Sequence, residues 1–247
     1  MSKLKDTVTI ITGASAGIGA ATGTKLAELG AKVILVAQNE DKLKERAAQI
    51  REAGHSVSYH TADVTDFEQV SSLVQQVQRD HGHVDALVNN AGLMLFSYWK
   101  DAAIDDWNRM IDVNLRGYLN CIAAVLPGML ERKSGKIVNM SSVAGIHVGE
   151  AAGVYGATKF FIRGITESLR KEVGVGSGIQ VSMISPGVID TGWATKVTDN
   201  TGRAIAEKLN AGAIGPDAIA DAVAYVLDKP ANVTVSDIVV HPTAQDW

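Results

Sequence analysis

Tyr155 and Lys159 stand four apart in the run Tyr155-Gly156-Ala157-Thr158-Lys159. On a helix that spacing puts both side chains on one face, a turn apart. A phenol whose pKa is about 10 is a poor proton donor or acceptor at neutral pH. A neighbouring ammonium favours the phenolate and lowers that value, which makes the pair a candidate general acid and base. Taken alone, a helical Tyr and Lys are more often ordinary packing or surface residues. They do not stand alone. Met140-Ser141-Ser142 ends a strand-like run at 136–140, and a hydroxyl at a strand's carboxyl end can bond a reacting oxygen and the phenol together. Asn89-Asn90-Ala91-Gly92 likewise follows an apolar run, and Asp112-Val113-Asn114 opens a helical stretch.

A second constellation lies near the start, in Thr12-Gly13-Ala14-Ser15-Ala16-Gly17-Ile18-Gly19. It joins a β-branched run at 7–12 to a helical run at 17–29. Gly13 permits a tight turn, Gly17 lets backbone N–H groups approach a pyrophosphate, and Gly19 lets the helix pack close to the strand. The spacing is Gly-x-x-x-Gly-x-Gly, which departs from the general Gly-x-Gly-x-x-Gly dinucleotide fingerprint.

The elements that must position these groups alternate along the chain. Strands are expected at 7–12, 32–37, 57–60, 86–89, 136–140, 179–184 and 237–240. Helices are expected at 17–29 (closed by Gly30), 41–53 (closed by Gly54), 66–79 with Asp66 as its cap, 154–173, and 216–227 with Pro216 in the first turn. The stretch 104–130 is helical with a break expected before Asp112. Such alternation implies an α/β fold: a doubly wound parallel sheet of seven strands with helices on both faces, in one domain over 1–247. Ligands in such sheets bind beyond the carboxyl ends of the strands, and each group singled out above follows a strand or begins a helix.

Thr-Gly-x-x-x-Gly-x-Gly, Asn-Asn-Ala-Gly, Asn114, Ser142 and Tyr-x-x-x-Lys, in that order, resemble the short-chain dehydrogenase/reductase family across nearly the whole chain. The resemblance implies an oxidoreductase acting on CH–OH groups, with Tyr155 as acid/base and Ser142 orienting the substrate oxygen. It implies that Lys159 lowers the Tyr155 pKa and binds the nicotinamide ribose, and that Asn114 holds a water in a proton relay to Lys159. The thirteen-residue interval to Tyr155 favours Ser142 over Ser141, which reads as structural. Carried over residue by residue, Gly13, Ser15, Gly17, Ile18, Gly19, Asn90, Ala91 and Gly92 line the cofactor. Asp63 and Val64 contact the adenine edge, and Pro186, Gly187 and Thr191 cover the nicotinamide. Asp63 taken alone is equally a cap or turn residue. The family also implies a homotetramer.

At the tip of the second strand, a carboxylate would bind the ribose 2′-hydroxyl and repel a 2′-phosphate. Ala37-Gln38-Asn39 supplies none, so NADP(H) is favoured over NAD(H), although no Arg takes the place of Gln38 and Ala16 is not basic. Ser15, Gln38, Asn39 and Lys42 are the groups left to meet a phosphate. The substrate is expected against Met94, Val143, His147 and Trp193. His147 could equally be a surface loop residue. The stretch 191–202 is polar with little periodicity and reads as a mobile lid, part of a covering segment over 191–212, in which Trp193 either closes over substrate or packs the loop. The ending Val239-Val240-His241-Pro242-Thr243 lacks the glycines common in ketoacyl-carrier-protein reductases, and resembles bacterial NADP-linked carbonyl reductases and alcohol dehydrogenases instead. A 3-ketoacyl-thioester reductase is the alternative within this chemistry. A non-catalytic dinucleotide sensor is the alternative outside it, and the intact Tyr155 and Lys159 argue against that.

Composition narrows the class further. Net charge is −4, with no block of Lys or Arg, which disfavours nucleic acid and anionic membrane as partners. The sole cysteine, Cys121, can form no internal disulfide and reads as a small buried hydrophobe. The first ten residues lack a signal-peptide apolar core, and no apolar run reaches the roughly 20 residues that span a bilayer. The expected location is the cytoplasm. The six histidines are dispersed, so no metal site is expected.

Overall fold

The computed structural model describes residues 3–245. Met1, Ser2, Asp246 and Trp247, which the expected 1–247 domain includes, lie outside the described residues. Seven strands form one parallel sheet: β1 (Val8–Thr12), β2 (Lys32–Ala37), β3 (Val57–Thr61), β4 (Ala86–Asn89), β5 (Gly135–Met140), β6 (Ile179–Pro186) and β7 (Asp237–Val240). Their order is β3-β2-β1-β4-β5-β6-β7. The chain winds outward from β1 in one direction and from β4 in the other. The switch point therefore lies between β1 and β4, where a doubly wound sheet opens a crevice for ligands. The central strands are apolar on both faces, as a sheet covered on both sides requires. Every residue of β1 and β4 is buried.

The helices divide between the two faces. On one side α1 (Gly17–Glu28), α2 (Glu40–Glu52) and α8 (Asp217–Leu227) bury Leu26, Leu43, Ile50 and Val223 against Ile11, Val33 and Leu35. On the other, α3 (Phe67–His81), α5 (Gly117–Arg132) and α6 (Gly153–Leu169) cover Ile10, Ile34, Leu87 and Ile137. Each fully buried Leu or Ile contributes about 1.5–3 kcal/mol by leaving water. Asp66 caps α3 as its sequence position suggests, accepting from the Glu68 and Gln69 amides, a contribution of about 1 kcal/mol. Cys121 is buried in α5, and burial pushes its thiol up to about 12.

Two expectations need correction. No break precedes Asp112: α4 (Ile104–Ile111) runs into α5 through a π-helical turn, Asp112–Arg116, whose flanking residues keep right-handed helical angles. The extra residue is absorbed by a wider turn, a feature often found at functional positions, and it carries Asn114. Nor is 191–202 wholly a loop. It holds a 3₁₀ turn at Ala194–Lys196 and the start of a helix, α7 (Asn200–Asn210), with Asp199 capping the Gly202 amide. The periodicity was short and masked by polar residues; Ile205 and Leu209, a turn apart, are its apolar stripe.

Candidate active site

The carboxyl ends of β1, β4, β5 and β6 bring Gly13, Gly17, Asn90, Gly92, Ser142 and Pro186 to one cavity of 520 Å³, which reaches from the glycine turn to Trp193, Ile205 and Leu209. Gly13 leaves β1 with φ +67°, a left-handed conformation that a side chain resists, and a Cβ there would lie 2.8 Å from the Ala91 Cα. A Cβ on Gly19 would lie 2.5 Å from the Gly13 carbonyl oxygen, so α1 can start this close to the strand only without one. Gly17 has a neighbour that the spacing did not reveal. At φ +56°, its missing Cβ would sit 2.7 Å from that of Thr191, so Thr191 rests on the turn. The Thr12 hydroxyl accepts from the Asn90 and Ala91 amides at 3.0 Å, and the Asn90 side chain donates to the Thr12 carbonyl at 2.9 Å, locking the β4 loop to the β1 turn.

On the other side of the cavity, α6 carries Tyr155 and Lys159, both buried. The Ser141 hydroxyl donates to the Lys159 carbonyl at 3.1 Å and so fastens this helix to the end of β5. The Ser142 hydroxyl faces the cavity. It accepts from the Ala144 amide at 3.1 Å and donates to the Pro186 carbonyl at a long 3.4 Å, a bond easily exchanged for a better acceptor. Asn114 is fully buried behind Lys159. Its amide donates to the Leu93 carbonyl at 2.8 Å and the Thr158 hydroxyl at 3.0 Å, and its Oδ1 accepts from the Leu93 amide at 2.8 Å. A side chain on Gly92 would meet that Oδ1 at 3.4 Å and Lys159 Nζ at 3.9 Å, so the two polar atoms flank the gap that this glycine leaves.

Burial is the first cause of shift for both members of the pair. Burial pushes the Tyr155 phenol up to about 12, with the Ser142 hydroxyl alone pulling it back. Burial also pushes the Lys159 ammonium down to about 7. Lys159 Nζ bonds the Met140 carbonyl at 3.0 Å, and it lies 5.6 Å from the centre of the Tyr155 ring and 5.7 Å from that of Tyr118. Desolvation disfavours the charged form of each.

Other expected cofactor residues lie apart from this cavity. Asn39 spends its Oδ1 on the Lys42 amide as the cap of α2, beside an exposed Gln38. Asp63 accepts from the Thr65 amide and hydroxyl, both at 2.8 Å, which is the turn role open to it from the start. Val64 turns its side chain into the core against Gly117, while its carbonyl accepts from Asn120 at 2.9 Å. The expected substrate residues Met94, Val143, His147 and Trp193 do line the cavity. His147 is exposed at its mouth, whereas Trp193 is buried and stacks edge-on against Phe96 with ring centres 5.5 Å apart.

The family profile described as short chain dehydrogenase matches residues 7–202, a span that takes in the glycine turn, Asn90, Asn114, Ser142, Tyr155, Lys159 and Thr191. The chain belongs to the short-chain dehydrogenase/reductase family. It is 42% identical over 247 residues to an uncharacterized oxidoreductase of Staphylococcus saprophyticus, with 99% of each chain covered. Among solved structures, the closed form of a serine dehydrogenase complexed with NADP+ matches with a TM-score of 0.90 at 30% identity, covering 97% of this chain and 96% of that one. An NAD+-bound xylitol dehydrogenase matches at 0.87 and 29% identity, covering 96% and 98%. As a member of its family, this short-chain dehydrogenase/reductase is an NAD(P)-linked oxidoreductase.

The residues present fit a dinucleotide. Gly13, Gly17 and Gly92 leave bare backbone where a side chain would fill the cavity's floor, and α1 presents its N-terminus there with no acid in its first turn. Several lining residues of this short-chain dehydrogenase/reductase had no signal in the motifs. Phe96 and Val188 are apolar residues in irregular chain. Ile205 and Leu209 could have been found from their spacing within 191–212. Among the described residues, no three His, Cys, Asp or Glu side chains are grouped to hold a metal ion, and no helix is long and apolar enough to cross a membrane.

Proposed function

We propose that this chain is a carbonyl reductase or alcohol dehydrogenase that works with NADP(H), with Tyr155 as the acid/base. The observation that carries the reading is the convergence of the Tyr155 phenol and the Ser142 hydroxyl in the cavity that begins at the glycine turn. The nicotinamide, when bound, supplies or takes the hydride at the carbon. Gly13, Ser15, Gly17, Ile18, Asn90, Gly92, Pro186, Gly187 and Thr191 line the part of the cavity that would hold the cofactor. In reduction the Ser142 hydroxyl exchanges its long bond to Pro186 for one to the substrate oxygen and holds it beside the phenol. Burial keeps the phenol protonated at neutral pH, the form that donates. As the alcohol forms, the proton leaves Tyr155 Oη for the substrate oxygen. The phenolate left behind lies near the Lys159 ammonium, whose Nζ is 5.6 Å from the centre of the ring. Asn114 Oδ1 and Lys159 Nζ flank a gap through which a water can return the proton.

The NADP(H) preference is supported by the tip of β2, where Gln38 and Asn39 stand in place of an acid and Glu40 is paired with Lys44 at 2.9 Å. The remaining parts of the reading are one domain with 191–212 as its lid, a homotetramer, and a cytoplasmic location. The deciding experiment follows reduced nicotinamide by absorbance with ketones, aldehydes and a 3-ketoacyl thioester, in wild type and in Tyr155→Phe. Turnover is expected in wild type, with a loss of about 10²–10⁴-fold in the variant while dinucleotide binding persists. A Tyr155→Phe protein with full turnover overturns the assignment, and a clear preference for NADH overturns the cofactor.

A further inference from the structure

The substrate end of the cavity is built for a less polar molecule than the serine and xylitol for which two of the solved neighbours are named. Leu95, Phe96, Val143, Val188 and Trp193 wall it, each no more than 9% exposed. α7 adds Ile205 and Leu209 from one helix face as a roof. Among the buried polar side chains that line the whole cavity, Ser141 and Lys159 are already bonded to the Lys159 and Met140 carbonyls. That leaves Ser142 and Tyr155, both of which the reacting oxygen uses. The charged groups Glu150 and Lys196 line only an exposed mouth. Arg203, the one arginine in 191–212, gives Nε and Nη2 to the Val197 carbonyl at 2.9 and 2.8 Å, so the lid offers no guanidinium to the interior.

Resting on the carbonyl-reductase reading above, we propose that the substrate is an alkyl or aryl ketone with an uncharged, apolar body, and that its carbonyl is the only polar group taken to depth. A carboxylate drawn in among these apolar walls would lose its water, and the buried cation that lines the cavity, Lys159, is already bonded to the Met140 carbonyl; the extra hydroxyls of a polyol would be left unpaired. An apolar body meets the Phe96 and Trp193 rings and the aliphatic roof instead.

The test is the reduction of benzylacetone, acetoacetate and dihydroxyacetone under one set of cofactor conditions. Benzylacetone is expected to exceed both others in kcat/KM by about a hundredfold or more, chiefly through KM. A higher kcat/KM for acetoacetate or dihydroxyacetone overturns the substrate class and leaves the carbonyl reading standing. No turnover of any of the three, with dinucleotide binding confirmed by titration, removes the carbonyl reading and this proposal with it. Ile205→Lys, at a partly buried site on the roof, places a cation where none now reaches. It is expected to narrow the gap between benzylacetone and acetoacetate by about tenfold. A folded Ile205→Lys protein with an unchanged ratio overturns the claim that a missing cation sets the preference.

Discussion

The two ends of the cavity are made of different material. The glycine end is backbone: Gly13 and Gly17 at positive φ, Gly19 pressed to the Gly13 carbonyl, Gly92 bare beside Asn114 and Lys159. The other end, around Trp193, is side chain: Phe96, Trp193, Val188 and Ile205 from segments far apart in the sequence. Backbone can offer only amides, carbonyls and the absence of a Cβ, so the first end suits a cofactor held the same way throughout a family. Side chains can be exchanged without disturbing the sheet, so the second end is where a substrate is chosen. Ser142, Tyr155 and Lys159 stand on the seam between them.

Substitutions should respect that division. The largest effect is expected on the seam. Ser142→Ala removes the hydroxyl proposed to orient the reacting oxygen and should lower kcat by about 10²–10³-fold, with dinucleotide affinity unchanged; an equal loss of affinity would mean that Ser142 belongs to the cofactor end. Next, Gly19→Ala puts a carbon 2.5 Å from a backbone oxygen, so α1 must move off the turn. Dinucleotide affinity should fall by about 1–3 kcal/mol, the usual cost of overpacking, read by equilibrium titration. Unchanged affinity in Gly19→Ala would show that the turn yields more easily than its contacts suggest.

Lys159 gives a comparison that needs no substrate. Its folded value is depressed to about 7 from an ordinary 10.5. Between these values the unfolded chain binds the extra proton, so this group makes stability rise with pH through that window and contributes no slope below it. From pH 7 to about pH 9 the rise should be about 1–3 kcal/mol in cofactor-free protein. Denaturant titrations should find it in wild type and miss it in Lys159→Met. Tyr155, raised from 10.0 to about 12, works in the opposite sense only above that range. The smallest effect belongs to the Trp193 end: Trp193→Phe keeps an aromatic ring against Phe96 and should raise KM for an apolar ketone only a few-fold, roughly 1 kcal/mol or less. A large loss of dinucleotide affinity in that variant would erase the distinction between the two ends.

Much of the glycine end could be read directly. Gly13, Gly17 and Gly19 fall between a β-branched run and a helix, and only backbone geometry explains three glycines there. Tyr155 and Lys159 were legible because helical spacing alone puts them on one face. Val64 and Asp63 also have local uses, a core contact against Gly117 and a bond to Thr65; the first of these a family position does not reveal. The turn at Asp112–Arg116 was read as a break because a π turn and a helix end leave similar interruptions in periodicity.

The sequence by itself determined the strand and helix alternation, the glycine turn and the spacing of Ser142, Tyr155 and Lys159, since all of these depend on residues close together or on periods of two and 3.6. Only the tertiary structure decided which apolar residues face the cavity, that Thr191 rests on Gly17, that Arg203 turns to its own chain, and that burial sets the charges of Tyr155 and Lys159. These depend on contacts between segments brought together by the sheet order, and on the water that packing excludes. Neither is written in the spacing of any one segment.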